Sequence, residues 1–437
     1  MRLNKNDKFT YDGKEYKIKE LLGEGGQGEV YLVNDGSKDY AFKYYLEIPS
    51  NDFIYNLKNN IDKGSPSNAF LWPKKYIEFD DSSCGYIMDL RPKNFISFVS
   101  FLNGYTKFKN QQTLIRWCLE LCLAFKKLHE MGYSYQDLND GSFFLDPETG
   151  DILICDNDNV TADKKNLGVL GKMRYMAPEI VVGMDSEGNS QMPDTHSDRF
   201  SLAVILFLTM CLGNPFEGER LKKYDIVDEH SEKEMFGTKP LFIMHKTDKS
   251  NRPIRGYHTA VIKRWPYLPI YIKEAFHRTF VDGLIDRENE RTTEIEWVRL
   301  LNKYRDELLT CVCGNQFIYG FEEAKLNLNC PYCNKNTKTF CYIQIGKRRV
   351  ALEPGKELYK SHLDKYSSEY NTRVGEVIAN KNNPSLWGIR FNLTDNILIK
   401  DINGNVKEVN GNGVVPIVNN LKIKFSDECI AEIHVNK

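Results

Sequence analysis

Two kinds of hydrophobic spacing divide the chain into a strand-rich first part and a helix-rich second part. Hydrophobic and polar residues alternate over residues 14–45, as in half-buried strands, and a glycine cluster interrupts them at 23–28. Hydrophobic residues recur at helical spacing over 112–129, and residues 198–307 are mainly helical by the same criterion. Further short strands are predicted at 83–89, 142–145 and 152–155. Strands first and helices later predict an α+β protein with two lobes.

The remainder of the chain has a different pattern. Residues 311–333 contain two pairs of closely spaced cysteines, and residues 342–437 consist of short β-type runs separated by Asn/Gly turns. Such runs predict a small β-sandwich. The predicted domains are an N-terminal lobe at 10–91, a C-terminal lobe at 92–307, a cysteine module at 308–341 and a β-rich domain at 342–437.

Composition narrows the class of protein. With 437 residues, 41% hydrophobic and 27% charged, the chain is expected to be soluble and to form two or three globular domains. The net charge of −1 disfavours a strongly basic nucleic-acid-binding protein. The longest hydrophobic run, Leu202–Leu212, is about half of what spans a bilayer, and the first residues lack a signal-peptide core. Eleven cysteines in that context predict reduced thiols and metal ligands in a cytoplasmic protein.

A glycine-rich segment and a lysine form the first candidate site for phosphate. The pattern G-x-G-x-x-G-x-V is formed by Gly23, Gly25, Gly28 and Val30. Glycines let backbone N–H groups approach phosphate without a clash from Cβ. The next predicted strand carries Ala41 and Lys43, whose amine can reach phosphates beneath the glycines. A dinucleotide-binding fold would need a helix directly after the glycines, whereas residues 31–33 are strand-like.

Three aspartates that could bind a proton or a metal ion follow predicted elements. Asp137 comes just after the long helix at 112–129, and Asp156 comes just after a strand, with Asp158 two residues later. One carboxylate can orient an attacking hydroxyl and accept its proton, and another can hold a metal ion on the phosphates. Three more motifs follow, namely Ala177-Pro178-Glu179, Asp198 at the start of a hydrophobic helix, and Arg291.

These motifs, in this order, resemble those of protein kinases over about residues 10–307. The likeness is to the eukaryotic-like serine/threonine kinases of bacteria, in a divergent branch with a cysteine knuckle behind the kinase. It implies ATP with Mg²⁺ or Mn²⁺, Lys43 on the phosphates, Asp137 as catalytic base and Asp156 as metal ligand. It also implies that Asp198 anchors the catalytic-loop backbone and that Arg291 pairs with the glutamate of the A-P-E motif.

The resemblance also assigns residues to the adenine ring. Met88 fills the position that limits the depth of the adenine pocket, and Asp89-Leu90-Arg91 is the implied hinge whose backbone binds the adenine edge. Val30 and Ala41 would pack on the faces of the ring. Ordinary core packing would account for the same hydrophobic residues.

The segment between Val160 and Lys172 departs from the family pattern. Gln136 stands where the family has an arginine that pairs with a phosphorylated residue of this loop. Thr161 is the only hydroxyl residue there, and Lys172 occupies a position where threonine is frequent. Both departures predict activity without phosphorylation of the loop.

The metal ligands depart as well. Ser142 stands in place of the second metal-binding asparagine, and Asn139 in place of the catalytic-loop lysine. Serine is the poorer metal ligand, and either Asp158 or Asn139 could supply the missing oxygen. The predicted magnesium ligands are therefore Asp156, Ser142 and Asp158.

The partner of Lys43 is open at this stage. Residues 52–64, the helix that carries the usual glutamate, contain none, and Asp62 and Asn59 are the two alternatives. Asn157 replaces the phenylalanine of D-F-G. These departures leave a second function open: a pseudokinase that binds nucleotide and recruits partners through the cysteine and β modules.

The four cysteines of the module predict a zinc site. Cys311, Cys313, Cys330 and Cys333 form two knuckles, one of them C-x-C and the other C-x-x-C. Four thiolates suit a structural, tetrahedral Zn²⁺, as in a zinc ribbon, which this segment resembles. Cys341 is a spare cysteine expected to pack in a core. A redox dithiol would need a thioredoxin-like βαβ context, which the sequence does not indicate.

The β-rich domain faintly resembles a forkhead-associated sandwich, which binds phosphothreonine. Arg373 and Ser385 are the candidate phosphate ligands, and a docking or stabilising domain is the favoured alternative. Lys347-Arg348-Arg349 is a local basic patch, but the net charge disfavours nucleic acid as a partner. The expected partners are ATP and protein substrates that the sequence does not name, with no membrane.

Overall fold

The computed structural model describes residues 3–167, 171–183, 190–320, 328–337 and 340–436. These residues form two compact units. The first comprises Met1–Lys109 and Arg116–Val298, and the second comprises Asn110–Ile115 and Arg299–Lys437.

The first unit begins with a six-stranded antiparallel sheet of order β1-β2-β3-β4-β6-β5. Helix α1 (Asn51–Lys63) follows β4 in sequence, begins at the N-cap Ser50, and packs Phe53 and Leu57 into the same hydrophobic core as β4 and β6. The strands are β1 (Lys8–Tyr11), β2 (Lys14–Glu24), β3 (Gly28–Asn34), β4 (Asp39–Tyr45), β5 (Lys75–Glu78) and β6 (Cys84–Asp89). This sheet and helix form the predicted strand-rich first part of the chain.

The rest of the first unit is mainly helical. Its helices are α2 (Phe98–Leu102), α3 (Gln111–Glu130), α4 (Pro178–Val182), α5 (Thr195–Cys211), α6 (Glu229–Lys233), α7 (Thr259–Arg264), α8 (Ile270–Phe280) and α9 (Glu294–Asp306). Five short strands precede α4, namely β7 (Ile96–Ser97), β8 (Tyr133–Ser134), β9 (Phe143–Leu145), β10 (Ile152–Ile154) and β11 (Thr161–Ala162). The first residues of α3 and the last of α9 belong to the second unit.

The hydrophobic helix α5 is the centre of this part. Every residue from Phe200 to Cys211 is buried, as expected for a helix that has no polar face. Within the described ranges, no helix is both long enough and apolar enough to cross a membrane.

The second unit contains a short hairpin and two sheets. The hairpin pairs β12 (Leu308–Thr310) with β13 (Gln316–Ile318). One six-stranded sheet has the order β15-β14-β23-β22-β19-β20, and one four-stranded sheet has the order β16-β17-β18-β21. Buried side chains from both sheets, including Ile343, Ile423, Val377 and Ile389, form one hydrophobic core.

The strands of the two sheets, and the helix that follows β16, are short. They are β14 (Phe340–Ile345), β15 (Arg348–Leu352), β16 (Glu357–Tyr359), α10 (Lys360–Leu363), β17 (Arg373–Ala379), β18 (Trp387–Phe391), β19 (Ile397–Lys400), β20 (Val406–Val409), β21 (Val414–Pro416), β22 (Lys422–Lys424) and β23 (Ile430–Asn436). Cys341, the predicted spare cysteine, lies in their shared core.

Candidate active site and metal centre

The glycine segment is the turn of a β-hairpin between β2 and β3. The N–H of Gly25 donates to the carbonyl of Gly28 at 2.9 Å, which closes the turn. At Gly28, a Cβ would lie 2.4 Å from the carbonyl oxygen of Tyr44, so only glycine fits beside β4. The strand after the turn confirms that this segment is not the strand–helix turn of a dinucleotide-binding fold.

Lys43 is a buried cation on β4. Its Nζ lies 2.7 Å from Oδ2 of Asp158, 3.9 Å from Oδ1 of Asp156 and 3.4 Å from Oε1 of Gln27. Burial acts to lower the pKa of Lys43, but the charges of Asp158 and Asp156 outweigh it and raise the pKa above its usual value. The amine is therefore held in its charged form.

One cleft of about 770 Å³ joins the predicted phosphate-handling residues. The glycine segment forms one wall, and Lys43, Asp137 and Asp156 lie on the others. Side chains from β4, from the loop after α3 and from the loop after β10 thus meet at one place. A cation and two carboxylates beneath a glycine hairpin can bind a polyphosphate and its metal ion.

Asp137 lies in the loop between β8 and β9. Its Oδ1 accepts a hydrogen bond of 3.0 Å from the side chain of Asn139. Burial raises the pKa of Asp137, although that hydrogen bond and the charge of Lys172 act to lower it. Lys172 itself pairs with Asp140 at 3.0 Å. Asn139 thus orients the carboxylate of Asp137.

Asp156 is the predicted metal ligand that remains available to the cleft. Its backbone has a φ of +57°, and half of its side chain is exposed. Burial and the neighbouring Asp158 raise its pKa, although Lys43 opposes them. A left-handed residue other than glycine persists only where its surroundings hold it, and here that conformation places the carboxylate in the cleft.

The structure gives the other two predicted metal ligands different partners. Ser142 is fully buried, and its hydroxyl donates to the backbone carbonyl of Asp137 at 3.3 Å. Asp158 is also fully buried and contacts Lys43. Neither is among the described residues that line the cleft. Each side chain contacts another residue of the protein, and the metal roles of Ser142 and Asp158 stay predictions.

The residues predicted for adenine lie side by side. Ala41 and Met88 are paired across β4 and β6, and both pack in one core with Val30 and Leu90. The carboxylate of Asp89 pairs with Lys38 and Lys74. Of these residues, the described cleft lining includes Val30 alone, so the adenine assignments stay predictions.

The loop that carries Asp137 is anchored by Asp198 at the start of α5. Its Oδ2 accepts the N–H of Tyr135 at 2.6 Å, and its Oδ1 accepts the N–H of Gln136 at 3.3 Å. His129, at the end of α3, lies 3.1 Å from the same carboxylate and 2.9 Å from Glu294. Burial opposes protonation of His129, but hydrogen bonds to the two carboxylates raise its pKa to about 9.

Gln136 holds the loop that follows Asp158. Its side-chain amide donates to the hydroxyl of Thr161 and to the backbone carbonyl of Lys165. Thr161 is buried, with 1% of its surface exposed, and its hydroxyl also lies 3.1 Å from the carbonyl of Lys165. A neutral amide thus ties residues 161–165 to the loop that carries Asp137.

The glutamate of the A-P-E motif forms the ion pair implied by the resemblance. Nη1 and Nη2 of Arg291 donate to the two oxygens of Glu179 at 2.7 and 2.8 Å. Burial acts to raise the pKa of Glu179, but Arg291 outweighs it and lowers the pKa. Arg291 also donates to the backbone carbonyls of Gly283 and His196, so it connects three segments.

The four predicted zinc ligands lie together in the second unit. The sulfur atoms of Cys311, Cys313, Cys330 and Cys333 all lie within 4.8 Å of one another. Four sulfur atoms at this separation fit tetrahedral Zn²⁺. The backbone and side-chain N–H groups of Asn315 lower the pKa of Cys313 to about 6, which favours the thiolate form.

Each knuckle is closed by a hydrogen bond from the residue after its second cysteine to the carbonyl of its first cysteine. The N–H of Gly314 donates to the carbonyl of Cys311, and the N–H of Asn334 donates to that of Cys330, both at 2.8 Å. Both donors have positive φ, +84° and +56°. A left-handed residue after the second cysteine thus closes both knuckles, through a three-residue step in C-x-C and a four-residue step in C-x-x-C.

The two candidate phosphate ligands of the β domain do not come together. Arg373 begins β17 and pairs with Glu357 and Glu376, whereas Ser385 follows the other end of that strand and contacts Asn383. Seven residues of strand separate the two ends by about 20 Å. A phosphothreonine pocket made by these two residues is therefore not formed.

Two sequence comparisons place the first unit among known proteins. The family model for the protein kinase domain matches residues 79–291. Ribosomal protein S6 kinase alpha-2 of Homo sapiens is 25% identical over 224 residues, which cover 48% of this chain and 29% of the relative. Serine/threonine-protein kinase SCH9 of Saccharomyces cerevisiae is 27% identical over 231 residues, 49% of this chain and 26% of the relative. The chain spans less than a third of the length of these relatives.

A solved structure, the autoinhibited serine kinase domain of the giant muscle protein titin, matches with a TM-score of 0.49 and 15% identity. The match covers 70% of this chain and 84% of the titin domain. The family model and the curated relatives are the findings that support a protein kinase domain in the first unit. Both relatives are eukaryotic, so the predicted bacterial branch stays a prediction.

Sequence reasoning missed the residues that surround Lys43. Asp158, Tyr45 and Tyr86 form one buried group with the lysine. The available signal was the absence of a glutamate from residues 52–64, which meant that the lysine needed another anion.

Proposed function

We propose, from the premise that this chain carries a protein kinase domain, that it transfers the γ-phosphate of ATP to serine or threonine hydroxyls. The observation that supports this most directly is the cleft shared by the glycine hairpin, Lys43, Asp137 and Asp156. Of the two curated relatives that match the first unit, one is a serine/threonine-protein kinase by name and the other is a ribosomal protein S6 kinase.

Each charged residue then has a task. Lys43, held in its charged form, would bind the phosphates beneath the glycine hairpin. Asp156 would hold Mg²⁺, which neutralises phosphate charge when bound, and its exposed carboxylate oxygens suit this hard cation. Asp137, oriented by Asn139, would position the substrate hydroxyl and accept its proton.

We also infer that the kinase works without phosphorylation of the loop after Asp158. The only hydroxyl residue between Val160 and Lys172 is Thr161, which is buried and hydrogen-bonded to Gln136. The loop segment is thus already tied to the catalytic loop by neutral hydrogen bonds.

The test is a transfer assay with purified full chain, radiolabelled ATP, Mg²⁺ and a panel of protein substrates, followed by identification of the phosphorylated residue type. Asp137→Asn should lower the transfer rate by at least about 100-fold because it removes the base. Lys43→Met and Asp156→Ala should do the same through loss of electrostatic stabilisation. Transfer that persists in all three variants would contradict the proposal.

A pseudokinase is the second candidate, and one observation favours it. Of the three predicted metal ligands, Ser142 and Asp158 are buried against other partners, which leaves Asp156. A pseudokinase would bind ATP but transfer no phosphate, and Asp137→Asn would leave its ATP binding unchanged. The same assay, combined with calorimetry of ATP binding, therefore distinguishes the two functions.

We further propose that the second unit contains a structural zinc site and that its β domain docks a protein partner. The four sulfur atoms support the first part. The separation of Arg373 from Ser385 favours docking over phosphothreonine recognition through these two residues.

A further inference from the structure

Lys43 and Asp158 form a buried ion pair between residues that are 115 positions apart in sequence. The Nζ–Oδ2 distance is 2.7 Å, and the exposed fractions of the two side chains are 7% and 0%. Among the described residues, the other carboxylate within 4 Å of this amine is that of Asp156, at 3.9 Å and half exposed. The contact of Lys43 with Asp158 is therefore the shorter of the two and the less exposed to solvent.

Helix α1 uses its polar side chains elsewhere. Asn56 and Asn60 both donate to the backbone carbonyl of Val160, each at 2.8 Å. The helix thus binds the segment just after Asp158 through neutral amides. The family resemblance assigns the carboxylate partner of the lysine to this helix, but α1 offers an anchor to the loop instead.

The carboxylate of Asp158 has a complete set of partners. Besides Lys43, it accepts hydrogen bonds from the hydroxyls of Tyr45 at 2.8 Å and Tyr86 at 3.2 Å. A buried carboxylate is tolerated only when it is paired and hydrogen-bonded, and both conditions are met here. Burial raises the pKa of both tyrosines well above the usual value, so both stay donors.

The backbone that carries Asp158 is itself held in place. The side-chain amide of Asn157 donates to the carbonyls of Leu71 and Ile154, both at 2.9 Å. Asn157 and Asp158 are thus both hydrogen-bonded to residues outside their own turn, while Asp156 faces the cleft.

We propose that Asp158 is the positioning residue that holds Lys43 toward the phosphates of ATP. This inference rests on the proposed function, because it concerns the lysine of the same nucleotide site. One short segment would then supply both the metal ligand, Asp156, and the anion that orients the lysine. The position of the lysine would not depend on a carboxylate from helix α1.

A double-mutant cycle tests the proposal through the dissociation constant of ATP, measured by calorimetry on the full chain. Asp158→Asn should weaken ATP binding by about tenfold, the usual size of a lost charge-assisted contact. In a Lys43→Met background the same substitution should change binding by less than about twofold, because its effect acts through the lysine. Unchanged binding in Asp158→Asn, or an undiminished loss in the Lys43→Met background, would overturn the proposal.

Asp62→Asn is the matched control, since Asp62 is the carboxylate on helix α1 that the spacing from Lys43 suggested as its partner. It should bind ATP as the unmodified protein does, and a tenfold loss there would point to the helix instead. If Asp158→Asn does not fold, Tyr86→Phe replaces it, because Tyr86 is buried outside the described cleft lining and donates to Asp158. Tyr86→Phe should weaken binding by about threefold only when Lys43 is present, and a folded variant with unchanged binding would contradict the proposal.

Phosphate transfer is measured separately on the same proteins. ATP binding without transfer by the unmodified chain would contradict the proposed function, and the cycle would still decide the role of Asp158. If transfer is observed and the effects of the two substitutions on ATP binding are additive, the proposed function is supported and the positioning role of Asp158 is overturned.

Discussion

The imidazole of His129 lies 3.1 Å from the carboxylate of Asp198, which in turn accepts the backbone N–H of Tyr135, two residues before Asp137. The other ring nitrogen lies 2.9 Å from Glu294, and Arg199 donates to the same glutamate at 2.8 Å. A buried cation thus connects the end of α3 to α5 and α9, next to the loop that carries Asp137. This arrangement makes the stability of the first unit depend on pH.

The first prediction concerns that dependence. The pKa of His129 is raised from 6.5 to about 9 in the folded protein, so its proton stabilises the fold. The contribution is present in full below pH 6.5 and is lost as the pH rises through 9, a change on the order of 3 kcal/mol. Urea unfolding of the protein and of His129→Gln, each at about pH 6 and about pH 10, measures it. The variant should show a smaller alkaline loss, and an equal loss in both proteins would refute the assignment.

The second prediction concerns the loop held by Gln136. Removing the amide with Gln136→Ala should lower the transfer rate by about tenfold, because two hydrogen bonds to residues 161–165 are lost. Thr161→Val is the matched control and should keep at least about half of the activity, because the amide can still reach the carbonyl of Lys165. Mass spectrometry of active protein should find Thr161 unmodified, and a phosphate there that activity requires would contradict the prediction.

The third prediction concerns the pair of Arg291 with Glu179. Arg291→Met leaves a carboxylate that is only 13% exposed without its main cation and should destabilise the first unit by about 3–5 kcal/mol. The exposed pair of Lys8 with Glu15 is the control, because Lys8→Ala should cost less than about 1 kcal/mol. Chemical denaturation of both variants gives the comparison. Equal losses in the two would show that burial does not set the strength of the Arg291 pair.

The sequence predicted the elements of the first unit because each has a local signature. The glycine hairpin, the strand that carries Lys43 and the helix before Asp137 follow from spacing along the chain, and α3 begins and ends within one residue of the predicted bounds. The A-P-E glutamate and Arg291 followed from their order. Such elements can be predicted because the local spacing of hydrophobic residues determines where helices and strands form.

The partner of Lys43 had no such signature. Asp158 lies in a different part of the chain, and only the folded sheet brings it beside Tyr45 and Tyr86. Spacing relative to the family motif suggested a metal ligand, whereas burial decides that the carboxylate pairs with the lysine. The distance between Arg373 and Ser385 could not be predicted for a similar reason. It depends on which end of β17 each residue lies at, and the spacing along the chain does not give that.

The last prediction concerns the cysteine cluster of the second unit. Protein purified without chelator should contain about one equivalent of zinc, and Cys330→Ser should contain much less, since a ligand of the tetrahedral set is lost. Cys341→Ala is the matched control, because Cys341 is a buried cysteine that packs between the two sheets rather than against the cluster. It should keep its zinc even if it lowers the stability of the core by about 1 kcal/mol.

Removal of zinc should loosen the hairpin of β12 and β13 because Cys311 and Cys313 lie in its turn, and faster amide hydrogen exchange at Phe317 would report it. Elemental analysis that finds no zinc in the unmodified chain, or equal zinc in the Cys330 and Cys341 variants, would count against the site.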